Sequence, residues 1–360
     1  MHASALVSDP IDPALRRAVR PLQEAIADDP TNPASLRNLY DLYQRAYQDD
    51  RACCVAEALM VLHKASPGQT LWRGQHRPRS LPAARQSLSP ELLRHHVVHP
   101  DQDPYLSAML TLIAPALAAW RARETPAQLE PSARVDAAVH PSDAARMVKY
   151  AQRVLGVDLP DLYLQPGSQG DLTLLNLERN GVLHPTLVLF DGLLDRRKEP
   201  ELGFVVARAM ADLYQPHFAF VAVDRSPAAL RLVLGACIHA LGFPFEGDAA
   251  ALDVIAHEIM GRISRSTRRR LSEVVTRAMQ RGVELDCERW ADAAELTSCR
   301  VGLLLGGDLC SAGRALEHDP SPLCAPARHS HEDLRDELIR YGVSDDYFAV
   351  RSALGIDVTV

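Results

Sequence analysis

No Cys-x-x-Cys pair occurs in the chain. Its seven cysteines, an odd number at irregular spacings, do not form a disulfide framework. They read as small core residues of a reducing compartment, and Cys53-Cys54 falls inside a helical pattern. A basic excess is missing as well. Thirty-nine Lys and Arg stand against 46 Asp and Glu, a net charge of −7 and a pI of about 6.1, which argues against a general nucleic-acid binder. The N-terminus has no basic region followed by an apolar stretch, so no signal peptide is read. The longest apolar run, residues 230–245, is interrupted by Arg231 and His239 and is too short to span a bilayer. No G-x-S-x-G, P-loop or G-x-G-x-x-G is found. The expectation is a cytoplasmic chain with no membrane partner and none of those three chemistries.

What is present suits two domains. At 360 residues the chain is long for one, and 47% apolar residues are enough for a sizeable core. Helical spacing predicts a helix over residues 13–28, opened by Pro13 and broken at Asp28-Asp29-Pro30, with others over 34–47 and 51–64. Residues 66–104 are rich in Pro, Arg and His and read as an irregular crossing segment with one short helix capped by Ser89. Residues 105–123 are almost wholly apolar, so that helix should be buried and join the two halves, with Pro115 kinking or dividing it. Residues 124–131 read as a linker, and 142–155 as a helix capped by Ser142. Most of the remaining C-terminal part reads as helix.

The stretch from Leu162 to Tyr214 organises the rest. Two alternating apolar runs, 172–177 and 183–190, flank Asn180-Gly181, the strongest short-range hairpin signal because both residues tolerate positive φ. A second turn is read at Asp191-Gly192. Glu199-Pro200-Glu201 then opens a helix whose Leu202, Val205, Val206, Ala209 and Leu213 bury one face.

This order of strand, hairpin and buried helix resembles the core of gluzincin metallopeptidases, the type that includes the prenyl-protein and heat-shock membrane proteases. In those enzymes the helix carries H-E-x-x-H, two His for Zn²⁺ and a Glu that activates water. In register this chain has Arg208-Ala209-Met210-Ala211-Asp212. The resemblance therefore implies the fold and argues against the reaction. The third ligand of the family is a Glu on a later helix; Glu295 fits that position, with Glu288 as the alternative. The wider chain, from about Asn32 to Val350, resembles an uncharacterised family of bacterial proteins with a tetratricopeptide-like region before such a degenerate domain; that likeness names no activity.

The combined expectation is an α+β fold, mainly α. Residues 1–125 form a helical, tetratricopeptide-like region, packed on a zincin-like domain over residues 126–360 with a small, mostly antiparallel sheet. The implied function is a non-catalytic protein-interaction or scaffold role, with a protein partner and no metal or other cofactor. The open alternative is a metal-dependent hydrolase with a relocated site using Glu288 or Glu295. The Arg208 guanidinium is expected where the metal stood, bridging Asp212 and Glu295. A strand edge, 172–177 or 183–190, would hold a peptide.

Trp72, Arg73, Arg77 and Arg79 combine charge and an aromatic in an irregular segment and are candidate binding residues. Other clusters read as structural: His257-Glu258, the 95/96/99 histidines, His329-x-His331 near Cys324, the arginines between 262 and 270, and Cys299.

Overall fold

The computed structural model describes residues 11–77, 81, 83–126, 128–166, 172–190, 198–317 and 328–358. The Asp191-Gly192 turn, Arg79, Cys324 and most of the loop before Ser330 lie outside them. Fifteen helices of eight residues or more occur among the described residues. The first four are α1 (Pro13–Asp28), α2 (Pro33–Arg45), α3 (Asp49–Val61) and α4 (Pro67–His76). Then come α5 (Pro104–Arg121), α6 (Asp143–Leu155), α7 (Glu199–Ala211), α8 (Gln215–Ala222), α9 (Pro227–Ala240), α10 (Ala249–Met260) and α11 (Arg265–Gln280). The last are α12 (Cys287–Gly306), α13 (Leu309–Glu317), α14 (His331–Gly342) and α15 (Asp345–Leu354). The strands are β1 (Arg123–Glu124), β2 (Arg134–Val135), β3 (Asp161–Gln165), β4 (Leu172–Arg179) and β5 (Val182–Phe190).

The architecture is mainly α with one small five-stranded sheet, ordered β1-β4-β5-β3-β2. The sheet is mixed rather than mostly antiparallel. β4–β5 and β3–β2 are antiparallel, whereas β1–β4 and β5–β3 are parallel. Chain order explains this: only β4 and β5 are joined by a tight turn, while β3 reaches β5 through a longer connection. That turn is Asn180-Gly181, with φ of 54° and 76°, and it pairs Arg179 with Val182. The sheet alternates cleanly. Leu162, Leu174, Leu187 and Leu189 face the main core, while Tyr163, Leu177 and Val188 face a smaller cluster with Leu129 and Ala133.

Residues 67–76 are a full helix, not part of an irregular segment. Ser66 caps it by accepting from the Gln69 amide while the Gln69 side chain accepts from the Ser66 amide. This capping box outweighs the Pro-rich composition around it. The linker also carries structure: β1 and β2 bracket it, adding a short strand to each side of the sheet.

Two cores hold the chain together. The larger one joins α1–α3 (Val19, Leu39, Leu59) to the sheet, α6, α7, α12 and the C-terminal helices (Tyr347, Leu354). The second packs α5 against α8–α12 around Trp290. The larger core draws on residues from both sides of position 125/126. α5 runs undivided from Pro104 to Arg121 through Pro115 and is buried against α8, α10 and α11. Helix α7 lies inside the larger core and is buried all round from Pro200 to Ala211, not on one face alone. Its main neighbour is α12. Gly302 and Gly306 make the close approach possible. A Cβ at Gly306 would stand 3.0 Å from the Pro200 carbonyl oxygen and from Phe204 Cβ, and one at Gly302 would meet the Phe204 ring at 2.9 Å. Gly307, with φ 84°, ends α12 in the left-handed conformation.

Candidate functional site: a sealed ion-pair cluster and an open strand edge

Because α7 and α12 lie so close, charged residues on their facing sides must meet. Arg208 Nη2 donates to Glu295 Oε1 at 2.8 Å, with the two side chains only 2% and 3% exposed. One turn further on, the buried Asp212 carboxylate is held by two partners that the sequence did not point to. Arg225 Nη2 donates to Oδ2 at 2.6 Å, and Ser298 Oγ donates to Oδ1 at 3.0 Å. Arg225 comes from the turn after α8, where Asp224 and Arg225 both take positive φ, 56° and 55°. Positive φ at two successive non-glycine residues is costly, and here it turns the guanidinium back onto Asp212.

His217 completes the cluster. Its Nδ1 lies 3.8 Å from Asp212 Oδ1, and its Nε2 is 3.2 Å from Gln102 Oε1, which also accepts from Thr297 Oγ1 at 2.8 Å. Burial pushes the His217 pKa down, and Arg225 adds to this against the pull of Asp212, so the ring is neutral near pH 7. The space among Asp212, His217, Phe220, Arg225, Glu295 and Ser298 is only about 10 Å³, the scale of one water molecule. Such a water would serve Glu295 Oε2, which is buried and has no hydrogen-bond partner.

Two guanidiniums balance two carboxylates in a sealed volume, so the cluster has no room for a substrate. A dication does not fit either. The Asp212 carboxylate already faces the Arg225 guanidinium, and the Glu295 carboxylate that of Arg208. Among the described residues, no group of three or more His, Cys, Asp or Glu side chains converges to hold a metal ion. Ala209, beside Arg208 in the sequence, is fully buried in the core. Glu288 is exposed and pairs with Arg328 at 2.7 Å, away from α7.

Two arginines of the basic stretch after residue 70, Arg73 and Arg77, are turned inward. Arg77 is buried and its guanidinium is spent inside the protein. Nη1 donates to both Glu57 oxygens and to the Gly307 carbonyl, and Nη2 donates to Asp50 Oδ1 and Cys54 Sγ. Arg73 also pairs with Glu57, at 2.9 Å. Trp72 stacks on His76, with centroids 4.0 Å apart, and meets the edge of Tyr40. The acids that capture Arg73 and Arg77, Asp50 and Glu57 on α3 and Asp308 before α13, are brought to them by the tertiary fold, where no local pattern shows them.

The other clusters have structural roles. His96 Nδ1 is 2.8 Å from Asp346, and His329 Nε2 is 3.3 Å from the Asp292 carbonyl. Exposed i,i+4 pairs, Arg262–Glu258 and Arg269–Glu273, occupy the basic run. Burial pushes the thiols of Cys53, Cys237 and Cys287 up to about 12, leaving them inert. Cys299 is fully buried.

The larger opening is at the sheet. A cleft of about 610 Å³ lies between α5, the α6–β3 connection, the start of β5 and the α7–α8 turn, with Ala118, Leu159, Leu183, Pro185, Tyr214 and Phe218 in its walls. Strand β3 begins at Asp161, opposite Thr186, so residues 182–185 of β5 have only β4 beside them. In a two-residue hairpin the residues flanking the turn exchange both backbone bonds, and the pattern then alternates. Val182 and His184 thus bond to β4, while Leu183 presents its N–H and C=O to the cleft. Pro185, which lacks an N–H, falls in the same unpaired stretch, where proline is tolerated.

Comparison of the chain with protein-family models, with curated proteins and with solved structures finds no match in any of the three.

Proposed function

We propose that this chain is a non-catalytic protein-interaction module, a metallopeptidase-like scaffold whose metal-binding positions have been replaced by an ion pair. The observation that carries this reading is Arg208 on Glu295. The guanidinium occupies the side of Glu295 that a metal would need, and the residues around it are sealed rather than open to a substrate. In this reading the cleft beside β5 is the surviving peptide-binding element. A partner's extended segment would pair with Leu183 and lay its side chains against Leu159 and Phe218. The N-terminal helices, read as tetratricopeptide-like, would add a second protein-binding surface.

Elemental analysis of protein purified without chelator tests the first half. No stoichiometric zinc is expected, and a chelator should leave the melting temperature unchanged. One zinc per chain, lost together with several degrees of Tm, would overturn the reading. The converse experiment is to restore the ligands with Arg208→His and Asp212→His together. The folded double variant is expected to take up one zinc, with Glu295 as third ligand. A folded variant that binds none would remove the positional equivalence with the metallopeptidases.

A further inference from the structure

Charge is unevenly spread along this chain. Residues 262–281, the turn before α11 and the helix itself, hold seven arginines and one acid, Glu273. Their net charge is +6 in a chain of −7, so the rest of the molecule carries −13. All seven arginines are exposed. The helix explains why. Leu271, Val275 and Ala278 are its buried residues, and they join the second core, where α11 packs on α5. The arginines take the remaining arc. Four of them have partners inside the molecule. Arg262 pairs with Glu258 at 2.6 Å and Arg269 with Glu273 at 3.1 Å. Arg268 donates to the Met260 carbonyl at 3.3 Å, and the Arg281 guanidinium lies over the Tyr105 ring. Arg265, Arg270 and Arg277 make no hydrogen bond or ion pair among the described residues. Arg270 and Arg277 are two turns apart, roughly 10 Å along one side of the helix, and Arg281 continues their line.

This basic surface has ends. Asp248 and Asp253, at the cap and first turns of α10, precede it, and Glu284 and Asp286 follow it, all four exposed. From Arg265 to Arg281 the face is roughly 24 Å long. Exposed charges more than about 8 Å apart are largely screened from one another at physiological salt. What decides a partner is therefore the charge that lies directly over this face. A nucleic acid continues its charge without a break and would carry phosphates past the ends, onto the flanking carboxylates. Residues 262–281 also contain no aromatic side chain on which a base could stack. A short run of Asp and Glu meets the arginines alone.

We propose that the exposed face of α11 docks an acidic segment of a protein partner, with its carboxylates seated on Arg265, Arg270 and Arg277. Guanidinium forks match carboxylates in bidentate fashion, and complementary charge of this kind sets partner choice and approach. The surface is separate from the cleft beside β5 and does not depend on it. Fluorescence anisotropy of a labelled decaglutamate peptide, titrated with the full chain, tests this, with a DNA duplex of about 20 base pairs compared at the same ionic strength. The peptide is expected to bind saturably, more tightly than the duplex, and to weaken as NaCl rises from about 50 to 300 mM. Arg270→Gln with Arg277→Gln should weaken it by about fivefold or more. Arg16→Gln with Arg17→Gln removes the same charge from exposed positions on α1 and should leave it unchanged. No saturable binding of the peptide, tighter binding of the duplex, a folded α11 variant that binds as well as the wild type, or equal losses in the two double variants overturns the proposal.

Discussion

Arg208 and Glu295, 87 positions apart in sequence, meet at 2.8 Å across the α7–α12 contact with almost no solvent on either side. Two buried charges of this kind depend on each other. Taking both out of water is expensive, and their mutual attraction offsets it. Removing one leaves the other uncompensated. Arg208→Ala is therefore expected to destabilise the protein by about 3–5 kcal/mol, read as a fall in the urea midpoint. The double substitution Arg208→Met with Glu295→Leu should recover most of that loss. A single variant costing under about 1 kcal/mol would place the pair in the class of solvent-exposed ones.

The β4–β5 turn makes a cleaner prediction, because nothing crowds it. Gly181 has φ 76°, and a Cβ there would meet no atom within 4 Å. Any cost of a side chain is then backbone strain alone. Gly181→Val should destabilise by roughly 1–3 kcal/mol. Denaturation of the variant checks this, and an unchanged midpoint would mean that the turn relaxes freely.

How much of this was legible in the sequence depends on distance along the chain. Helix α1 could be bounded at residues 13–28 because its start and stop signals, Pro13 and Asp28-Asp29-Pro30, are local. Asn180-Gly181 was legible for the same reason. α4 was missed although its capping box at Ser66 and Gln69 is also local, because the Pro, Arg and His around it weighed more heavily than the cap. Arg77 read as exposed, since basic residues usually are. Its burial depends on Asp50 and Glu57 of α3 and on the Gly307 carbonyl, groups that only the tertiary fold brings together. Arg225 was beyond reach for a further reason. It meets Asp212 only because two successive residues adopt positive φ, and neither is a glycine.

The network around Arg77 also has a pH signature. Burial alone would raise the Asp50 carboxyl, but Arg351, 2.6 Å away, and then Arg77 outweigh it and hold it near 2, against an ordinary 3.8. A carboxyl depressed in the folded state contributes stability that is fully present above its unfolded value and is lost as pH falls through the folded one. Stability should thus hold down to about pH 4 and then fall, with Asp50 accounting for roughly 2 kcal/mol by pH 2. Urea midpoints of the wild type and Asp50→Asn, compared between pH 5 and pH 2, isolate this share. The variant should be weaker at pH 5 and show a flatter decline. Parallel curves would mean that Asp50 does not carry the titration.

The last prediction concerns the open edge of β5, and it can be read amide by amide. Val182 and His184 donate to β4, whereas Leu183 points its N–H away from β4 into the cleft, beyond the start of β3 at Asp161. In the free protein the Leu183 amide should exchange with solvent much faster than that of His184, although both lie in one strand. A peptide that adds as a strand would reverse this by accepting from Leu183. Peptides selected on the folded chain are expected to slow Leu183 exchange and to lose affinity when the amide of theirs that faces the Leu183 carbonyl is N-methylated. Leu159→Asp, in the cleft wall and away from the backbone contact, should weaken the same peptides without moving the melting temperature. Peptides that bind with no change at Leu183, and that tolerate methylation at every position, would locate the interaction elsewhere and end the strand-addition reading.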